Sequence, residues 1–246
     1  MREQYYSVSG LHCTSTERDQ QKTQMRMPNY LAWKKQTITD FSPENISDMY
    51  ADGFVFTREK KGSMDQTRSV RIDLSKFKLS SENRRILKKN DEIHIETIPL
   101  PHSDYHWSIG KMAKDFYTTK FGDGTFSANK TKELLTSADE SNFNMLLKYS
   151  HDEDVLGYAI CYTNNEIFHY SYPFYELTNV AEFTNIGIGM MTKAVQWAQD
   201  TGKKYIYLGS AQRPTDTYKF QFEGIEWFDG GKWTEDVEKL RDALSS

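Results

Sequence analysis

An amphipathic segment in the C-terminal half constrains this 246-residue chain more than any other stretch. Met191, Ala194, Val195 and Ala198 recur at i, i+3, i+4 and i+7, which is the spacing of one apolar helix face. Polar residues occupy the opposite side. A helix of this kind has to cover another element with its apolar face, so the pattern predicts a helix packed on a sheet.

Strand patterns lie on both sides of this helix. Residues 155–161 and 166–172 have the pattern of two strands joined by a turn, and residues 203–208 have that of a strand after the helix. The order strand, helix, strand predicts a βαβ crossover. Residues 155–161 and 203–208 are therefore expected in one sheet, which makes the fold class α/β.

A glycine pair, Gly187 and Gly189, stands at the start of the helix. Such a turn exposes backbone N–H groups at the positive end of the helix dipole, where a phosphate or an oxyanion is stabilised. Alternatively, the glycines only allow the helix to approach the sheet closely. The turn is similar to the one at which acyltransferases of the GNAT superfamily hold acyl-CoA, although Thr184 replaces their Gln or Arg. This resemblance implies a GNAT-like mixed sheet.

A short helix is predicted early in the chain, where Ser42 caps it, Pro43 lies in its first turn and Gly53 ends it. Residues 54–56 and 70–74 alternate as strands and are expected to pair across the polar loop between them. Three regions follow from these patterns.

The regions are a polar tail or irregular cap over 1–27, a smaller α+β region over 28–121 and a GNAT-like catalytic domain over 122–246.

Four cations are predicted to share a helix face within residues 80–89. Arg84 and Lys88 fall in one column, and Arg85 and Lys89 in the next. By itself such a face is either simply solvated or a binding surface. The net charge of −4 repels polyanions overall, so contact with a nucleic acid has to use a local patch of this kind.

Cysteine and histidine usage points away from metal chemistry. Only Cys13 and Cys161 are present, and the six histidines are scattered, so we expect no metal, no iron–sulfur cluster and no cofactor. The chain has no apolar run of membrane-spanning length and no signal-peptide pattern, from which we expect a cytoplasmic protein with no membrane partner.

Three groups of residues then carry a second resemblance. They are Phe77-Lys78-Leu79-Ser80 followed by Arg84-Arg85, Lys88-Lys89 and Asn90-Asp91; Ser42-Pro43 through Gly53-Phe54; and Lys203-Lys204-Tyr205-Ile206-Tyr207-Leu208-Gly209 followed by Tyr218-Lys219, Phe222, Gly231 and Trp233. Their order and spacing resemble the arginyl-tRNA–protein transferase family and its bacterial leucyl-transferring relatives.

The sequence also departs from that family. Its members carry paired cysteines near the N-terminus or ahead of an Arg-x-x-Val strand, whereas residues 62–71 contain none here. The family's Asp-Pro-Asp has no match either, since Ser171-Tyr172-Pro173-Phe174 occupies that place, with Glu176 and Glu182 close by in sequence.

The resemblance implies transfer of an aminoacyl group, arginyl or leucyl, from tRNA to the α-amino group of a protein or peptide. Glu182 is the first candidate for the base and Glu176 the second. The residues implied in tRNA binding are Ser80, Arg84, Arg85, Lys88 and Lys89, and those implied in the acceptor-end pocket are Gly187, Tyr205, Tyr207, Gly209, Tyr218 and Lys219. The alternatives are an acyl-CoA-dependent N-acyltransferase of the GNAT type and a tRNA-binding relative without turnover.

Overall fold

The computed structural model describes residues 30–178, 183 and 185–245. Residues Leu31–Ser246 form one compact unit, and the fold below is that of this unit. The predicted tail, residues 1–27, lies outside the described residues.

Strands and helices follow one another along the described residues. The strands are β1 Lys34–Thr37, β2 Phe54–Phe56, β3 Ser63–Gln66, β4 Ser69–Asp73, β5 His94–Pro99, β6 Met145–His151, β7 Asp154–Thr163, β8 Ile167–Tyr175, β9 Tyr205–Ser210, β10 Ile225–Phe228 and β11 Trp233–Thr234. The helices are α1 Pro43–Ala51, α2 Ser81–Lys89, α3 Trp107–Phe121, α4 Ala128–Thr136, α5 Ile186–Asp200 and α6 Val237–Ser245, with a 3₁₀ helix at Pro214–Gln221.

Most strands belong to one sheet of eight, in the order β11-β10-β4-β9-β8-β7-β6-β5. β8 and β9 run parallel, and the other neighbours in this sheet run antiparallel. A smaller sheet has the order β1-β3-β2. The α/β class with a mixed sheet, predicted from the sequence, is therefore confirmed.

Helix α5 makes the predicted crossover from β8 to β9. Its four periodic apolar side chains, Met191, Ala194, Val195 and Ala198, are all buried. They pack with α2 and the strands on one face of the large sheet, while α1, α3 and α4 contribute to the core on the opposite face. The prediction that residues 155–161 and 203–208 share a sheet is confirmed.

The predicted pairing of residues 54–56 with residues 70–74 is wrong. β2 pairs with β3, which lies in the segment expected to be a polar loop, and β4 pairs with β9 and β10. The sequence gives no sign of β3 because Ser63, Asp65 and Gln66 are polar, yet they are buried. Burial of polar side chains depends on tertiary partners, which local alternation does not report.

The segment expected to be a linker with a short helix over 131–135 contains α4, which is longer and packs against α3. Thr131, Leu134 and Leu135 are its buried residues. Strands from both predicted regions, 28–121 and 122–246, lie in the large sheet, and the boundary between those regions stays a prediction. Among the helices of the described part of the chain, none is long and apolar enough to span a bilayer.

Candidate active site

Strands β8 and β9 separate after a short parallel pairing. Their last pair is His169 opposite Tyr207, although β8 continues to Tyr175 and β9 to Ser210. Beyond this pair the two strands are no longer paired with each other, and the region between their ends is called the wedge below. Parallel strands that separate at their carboxyl ends create a crevice of the kind in which ligands bind in α/β sheets.

A β-bulge lies in β8 beside the wedge. Cys161 of β7 is opposite Tyr170, whereas Ile160 is opposite Tyr172, so Ser171 is an additional residue in β8. A bulge bends its strand and increases the local twist. The bend accompanies the separation of β8 from β9.

The 3₁₀ helix brings the buried Lys219 to the wedge. Only 7% of this residue is exposed, and its Nζ donates a hydrogen bond to the backbone carbonyl of Ser210 at 2.6 Å. Burial lowers the pKa of the Lys219 ammonium; Asp216 opposes this shift and the charge of Arg213 adds to it. Within the described part of the chain, no carboxylate lies within 4.0 Å of this Nζ. A buried cation of this kind can bind an anionic or strongly polarised oxygen.

His169 lies at the last paired position before the wedge. It is 1% exposed, and its Nδ1 is 2.8 Å from the hydroxyl of Tyr50. Burial, with a smaller contribution from the charge of Lys219, lowers the pKa of His169 to about 3. The ring is therefore neutral at pH 7. Sequence reasoning missed this residue, because one histidine within a strand gives no sign of a buried polar partner.

Gly209 lies on β9 two residues beyond the last pair, and Tyr218 precedes Lys219 in the 3₁₀ helix. Gly209 has φ of +73°, and a Cβ added there would have no heavy atom within 4 Å, so the space beside it is open. The exposed fractions of Tyr218 and Phe121 are 42% and 40%. The Arg213 guanidinium lies 4.7 Å from the centroid of the Phe121 ring. These two aromatic side chains remain accessible at the surface.

The two predicted pocket tyrosines on β9 are placed differently from Gly209. The Arg71 guanidinium lies 3.9 Å from the ring centroid of Tyr205 and 3.9 Å from that of Trp233. It also forms an ion pair with Glu226 at 2.8 Å. The Tyr207 hydroxyl lies 3.4 Å from Arg71 Nη1, and burial raises the pKa of Tyr207 to about 12. Both tyrosines thus support an internal arginine site, which sequence reasoning did not anticipate.

The glycine pair of α5 has two different environments. A Cβ at Gly187 would lie 3.1 Å from the ring of Tyr175, and a Cβ at Gly189 would lie 2.8 Å from the Asn90 side chain. The residue before the helix, Asn185, adopts the left-handed conformation and makes no side-chain cap. The ring of Tyr175 therefore packs beside Gly187 in the first turn of α5.

The two candidate bases differ in what the structure describes. Glu182 lies outside the described residues. Glu176 accepts hydrogen bonds at Oε1 from the Thr178 hydroxyl at 2.8 Å and from the backbone N–H groups of Leu177 and Thr178. The Thr178 hydroxyl, followed by these N–H groups, lowers the pKa of Glu176. A carboxylate held in this way is a weaker base than a free one.

Helix α2 presents the predicted cationic face. Its four cations, Arg84, Arg85, Lys88 and Lys89, are all exposed. Arg85 forms an ion pair with Glu82 at 2.5 Å. The Ser80 hydroxyl accepts a hydrogen bond from the Asn83 N–H, and the Asn83 side-chain oxygen accepts one from the Ser80 N–H. Ser80 therefore acts as the N-terminal cap of α2.

The cationic helix is adjacent to the wedge. Asn83 Nδ2 is 3.5 Å from the side-chain oxygen of Gln221, the last residue of the 3₁₀ helix that carries Tyr218 and Lys219. Gly209, Tyr218 and Lys219 thus lie on β9 and the 3₁₀ helix, and α2, which carries the four cations, contacts the end of that 3₁₀ helix.

A separate pocket of about 380 Å³ opens between the start of α1 and the turn after β7. Its amides already have partners within the protein: Asn142 donates to the carbonyls of Thr57 and Lys60, and Asn164 donates to that of Pro43. This pocket is not part of the wedge. Within the described residues, no group of three His, Cys, Asp or Glu side chains is arranged to hold a metal ion.

Comparison with known proteins gives distant similarities. No protein-family model matches the chain. The structure of L-PGS from Bacillus licheniformis superposes with a TM-score of 0.45 at 11% identity, covering 81% of this chain and 69% of that one. The crystal structure of FemX superposes with a TM-score of 0.43 at 8% identity, covering 71% and 61%.

Curated sequence relatives carry one name. An aspartate/glutamate leucyltransferase of Ruegeria pomeroyi is 22% identical over 170 residues, covering 67% of this chain and 60% of that protein's length. An aspartate/glutamate leucyltransferase of Chromohalobacter salexigens is 21% identical over 174 residues, covering 69% and 68%. The chain is thus a distant relative of the aspartate/glutamate leucyltransferases, as its resemblance to the bacterial leucyl-transferring proteins predicted.

Proposed function

We propose that this protein transfers an aminoacyl group from tRNA to the α-amino group of a protein or peptide. The names of the relatives favour leucyl over arginyl as the transferred group and an N-terminal Asp or Glu as the acceptor. Because charged tRNA is the donor, the proposal includes a cytoplasmic location. The chain spans 60% of the length of the Ruegeria pomeroyi protein.

The observation that carries the proposal is the buried ammonium of Lys219 at the wedge. Its single described hydrogen bond goes to the Ser210 carbonyl, which leaves two N–H groups for a ligand. A buried cation without a carboxylate partner is costly unless a ligand supplies the matching oxygen. The aminoacyl end of a tRNA offers such oxygens in its ester and its terminal phosphate.

The reaction requires little assistance beyond positioning. The acceptor amine attacks the ester carbonyl, the bond from that carbon to the ribose oxygen breaks, and the amine proton leaves as the ribose hydroxyl is restored. An α-amino group has a pKa of about 8, so a useful fraction is already neutral at pH 7.5. Orientation and stabilisation of the oxyanion then supply most of the acceleration.

The base remains a proposal with Glu182 as the first candidate. Glu176 is less suitable because its carboxylate already accepts local hydrogen bonds that lower its pKa. Water in the wedge is an adequate acceptor for a proton from an amine of this pKa.

The α2 face supplies the surface for the tRNA stem. Arg84, Lys88 and Lys89 are exposed cations next to the 3₁₀ helix, on a protein whose net charge is −4. Phosphates bound along this face would direct the acceptor end toward Tyr218 and Phe121, whose exposed rings suit stacking on terminal bases.

The acyl-CoA alternative is disfavoured by Tyr175. Its ring packs beside Gly187 at the start of α5 and leaves less room there for a pyrophosphate, and Thr184 replaces the Gln or Arg of the acyl-CoA enzymes. The other alternative is a relative that binds tRNA without turnover. An assay for the transferred product distinguishes it from the proposed enzyme.

The test is mass spectrometry of peptides incubated with the protein and either leucyl-tRNA, arginyl-tRNA or acetyl-CoA. Peptides beginning with Asp, Glu, Arg or Gly are used, together with N-acetylated copies that cannot accept. We expect a leucyl addition to the free Asp and Glu peptides only. Acetylated products would support the acyl-CoA enzyme, and tRNA binding without any product would support the non-catalytic relative.

A further inference from the structure

His169 has a hydrogen-bonding arrangement that the proposed reaction has not yet used. The Tyr50 hydroxyl accepts the backbone N–H of Phe56 at 3.3 Å and lies 2.8 Å from His169 Nδ1. If Nδ1 carried a proton, the hydroxyl would accept twice and its own proton would have no acceptor in a fully buried site. The hydroxyl therefore donates to Nδ1, and the proton of the neutral ring is on Nε2.

The Nε2–H group has no acceptor among the described residues, although the ring is 1% exposed. A buried donor without a partner costs free energy, and such groups in folded proteins call for an explanation such as a ligand or a catalytic role. His169 is also neutral, so it can donate a hydrogen bond at pH 7 without changing its charge.

The surroundings of His169 fit a ligand in the wedge. The ring stands at the last paired position of β8, and the charge of Lys219 acts on it. On β9, two residues beyond its partner Tyr207, Gly209 leaves open space. A neutral donor, a buried cation and room for a group thus occur together where β8 and β9 separate.

We propose that His169 donates a hydrogen bond from Nε2 to the ester carbonyl oxygen of the aminoacyl-tRNA, and so acts as a catalytic residue beside Lys219. This inference rests on the proposed function. The bond to Tyr50 fixes the tautomer that makes the donation possible. Because the donor is neutral and already oriented, it stabilises charge on the carbonyl oxygen without a proton transfer.

Two substitutions separate this role from a structural one. An Asn side chain places its polar end near the position of Nδ1 and a Gln side chain places its own near Nε2. His169→Asn thus keeps a partner for Tyr50 and loses the donor, whereas His169→Gln keeps the donor. We expect His169→Asn to lower kcat for leucyl transfer about 100-fold with KM for charged tRNA little changed, and His169→Gln to restore at least about a tenth of the wild-type kcat.

A measurement on the wild-type protein covers the case in which the variants do not fold. Protein with ¹⁵N-labelled histidine is titrated with 3′-leucylamino-3′-deoxyadenosine, an amide analogue of the aminoacyl end. The Nε2 proton of His169 should shift and exchange more slowly with solvent.

Folded variants with equal kcat values, or an Nε2 signal unchanged at saturating analogue, would overturn the role of His169. Absence of leucyl transfer by the wild-type protein would instead overturn the proposed function, so the two failures are distinguishable.

Discussion

Gly189 of α5 lies so close to Asn90 that a Cβ at residue 189 would be 2.8 Å from the Asn90 Cγ. Asn90 follows the cationic helix α2, is fully buried and donates to the Ile86 carbonyl at 2.8 Å. The glycine thus allows α2 and α5 to approach each other. Gly189 therefore serves contact between the two helices.

Gly189→Ala should therefore destabilise the fold, although alanine is the better helix former. The methyl group would displace a buried side chain, and overpacking of this kind costs about 1–3 kcal/mol of the free energy of unfolding. Urea unfolding followed by circular dichroism measures it. Asp200→Ala, at an exposed position of the same helix, is the control and should change stability by less than about 0.5 kcal/mol. A gain in stability for Gly189→Ala would contradict the close approach.

The α2 cations should govern the salt dependence of tRNA binding. Arg84→Ala combined with Arg85→Ala should weaken binding of charged tRNA and flatten the slope of log affinity against log salt by up to about two units. The pairing of Arg85 with Glu82 makes its share the smaller one. Lys114→Ala combined with Lys132→Ala removes two exposed charges elsewhere and should leave the slope unchanged. Equal slopes in both double variants would identify the α2 face as merely solvated.

Lys219→Met should strongly reduce transfer while sparing the fold. Loss of a buried cation that contacts the reacting group should lower kcat/KM at least about 100-fold. Lys203→Met is the matched control, since Lys203 also donates to a backbone carbonyl, that of Asn164, and burial also lowers its pKa. Comparable loss in both variants would point to a general effect of removing a lysine.

The stability of the Lys219→Met variant should depend on pH differently from that of the wild-type protein. Burial makes the pKa of Lys219 lower in the folded than in the unfolded chain, so the charged lysine penalises the folded state. This penalty is complete below the folded pKa and disappears as pH rises toward the ordinary value of 10.5. The stability advantage of Lys219→Met over wild type should therefore be largest at neutral pH and shrink above it. Unfolding midpoints from pH 7 to 10.5 measure this difference.

The two candidate bases, Glu176 and Glu182, should respond differently to substitution. Glu176→Gln should change kcat by less than about threefold, because its carboxylate is held by local hydrogen bonds, whereas Glu182→Gln should lower kcat by about 100-fold or more. The lowered pKa of Glu176 stabilises the folded state above pH 4.5, and this contribution is lost as pH falls through the folded pKa. The stability difference between wild type and Glu176→Gln should accordingly narrow in acid. A large rate loss for Glu176→Gln alone would reverse the ranking of the two bases.

The crossover was predictable because its signals are local. The apolar side chains of α5 repeat at helical spacing, and β8 and β9 are apolar segments on either side of it. The cationic face of α2 follows equally from spacing. Those patterns depend only on neighbouring residues along the chain, so they survive without knowledge of the fold.

The site itself was less predictable because its members are brought together by tertiary packing. Tyr50 and His169 are 119 residues apart, and Arg71 and Glu226 are 155 apart. Neither pair has a local pattern. Tyr205 and Tyr207 were identified through a motif, but that motif could not show that their rings and hydroxyls are turned toward Arg71.

The position of β4 has a consequence for how the polypeptide can be made and divided. β4 is complete at residue 73, yet its neighbours in the sheet, β9 and β10, end only at residues 210 and 228. During synthesis, more than half of the chain must follow β4 before strands are available to pair with both of its edges. Such late pairing favours slow folding and non-native association of the unpaired strand. A fragment beginning after α3 would contain β9 and β10 without the strand between them. Such a fragment should aggregate through those open edges, and adding residues 31–121 as a separate chain should rescue its solubility.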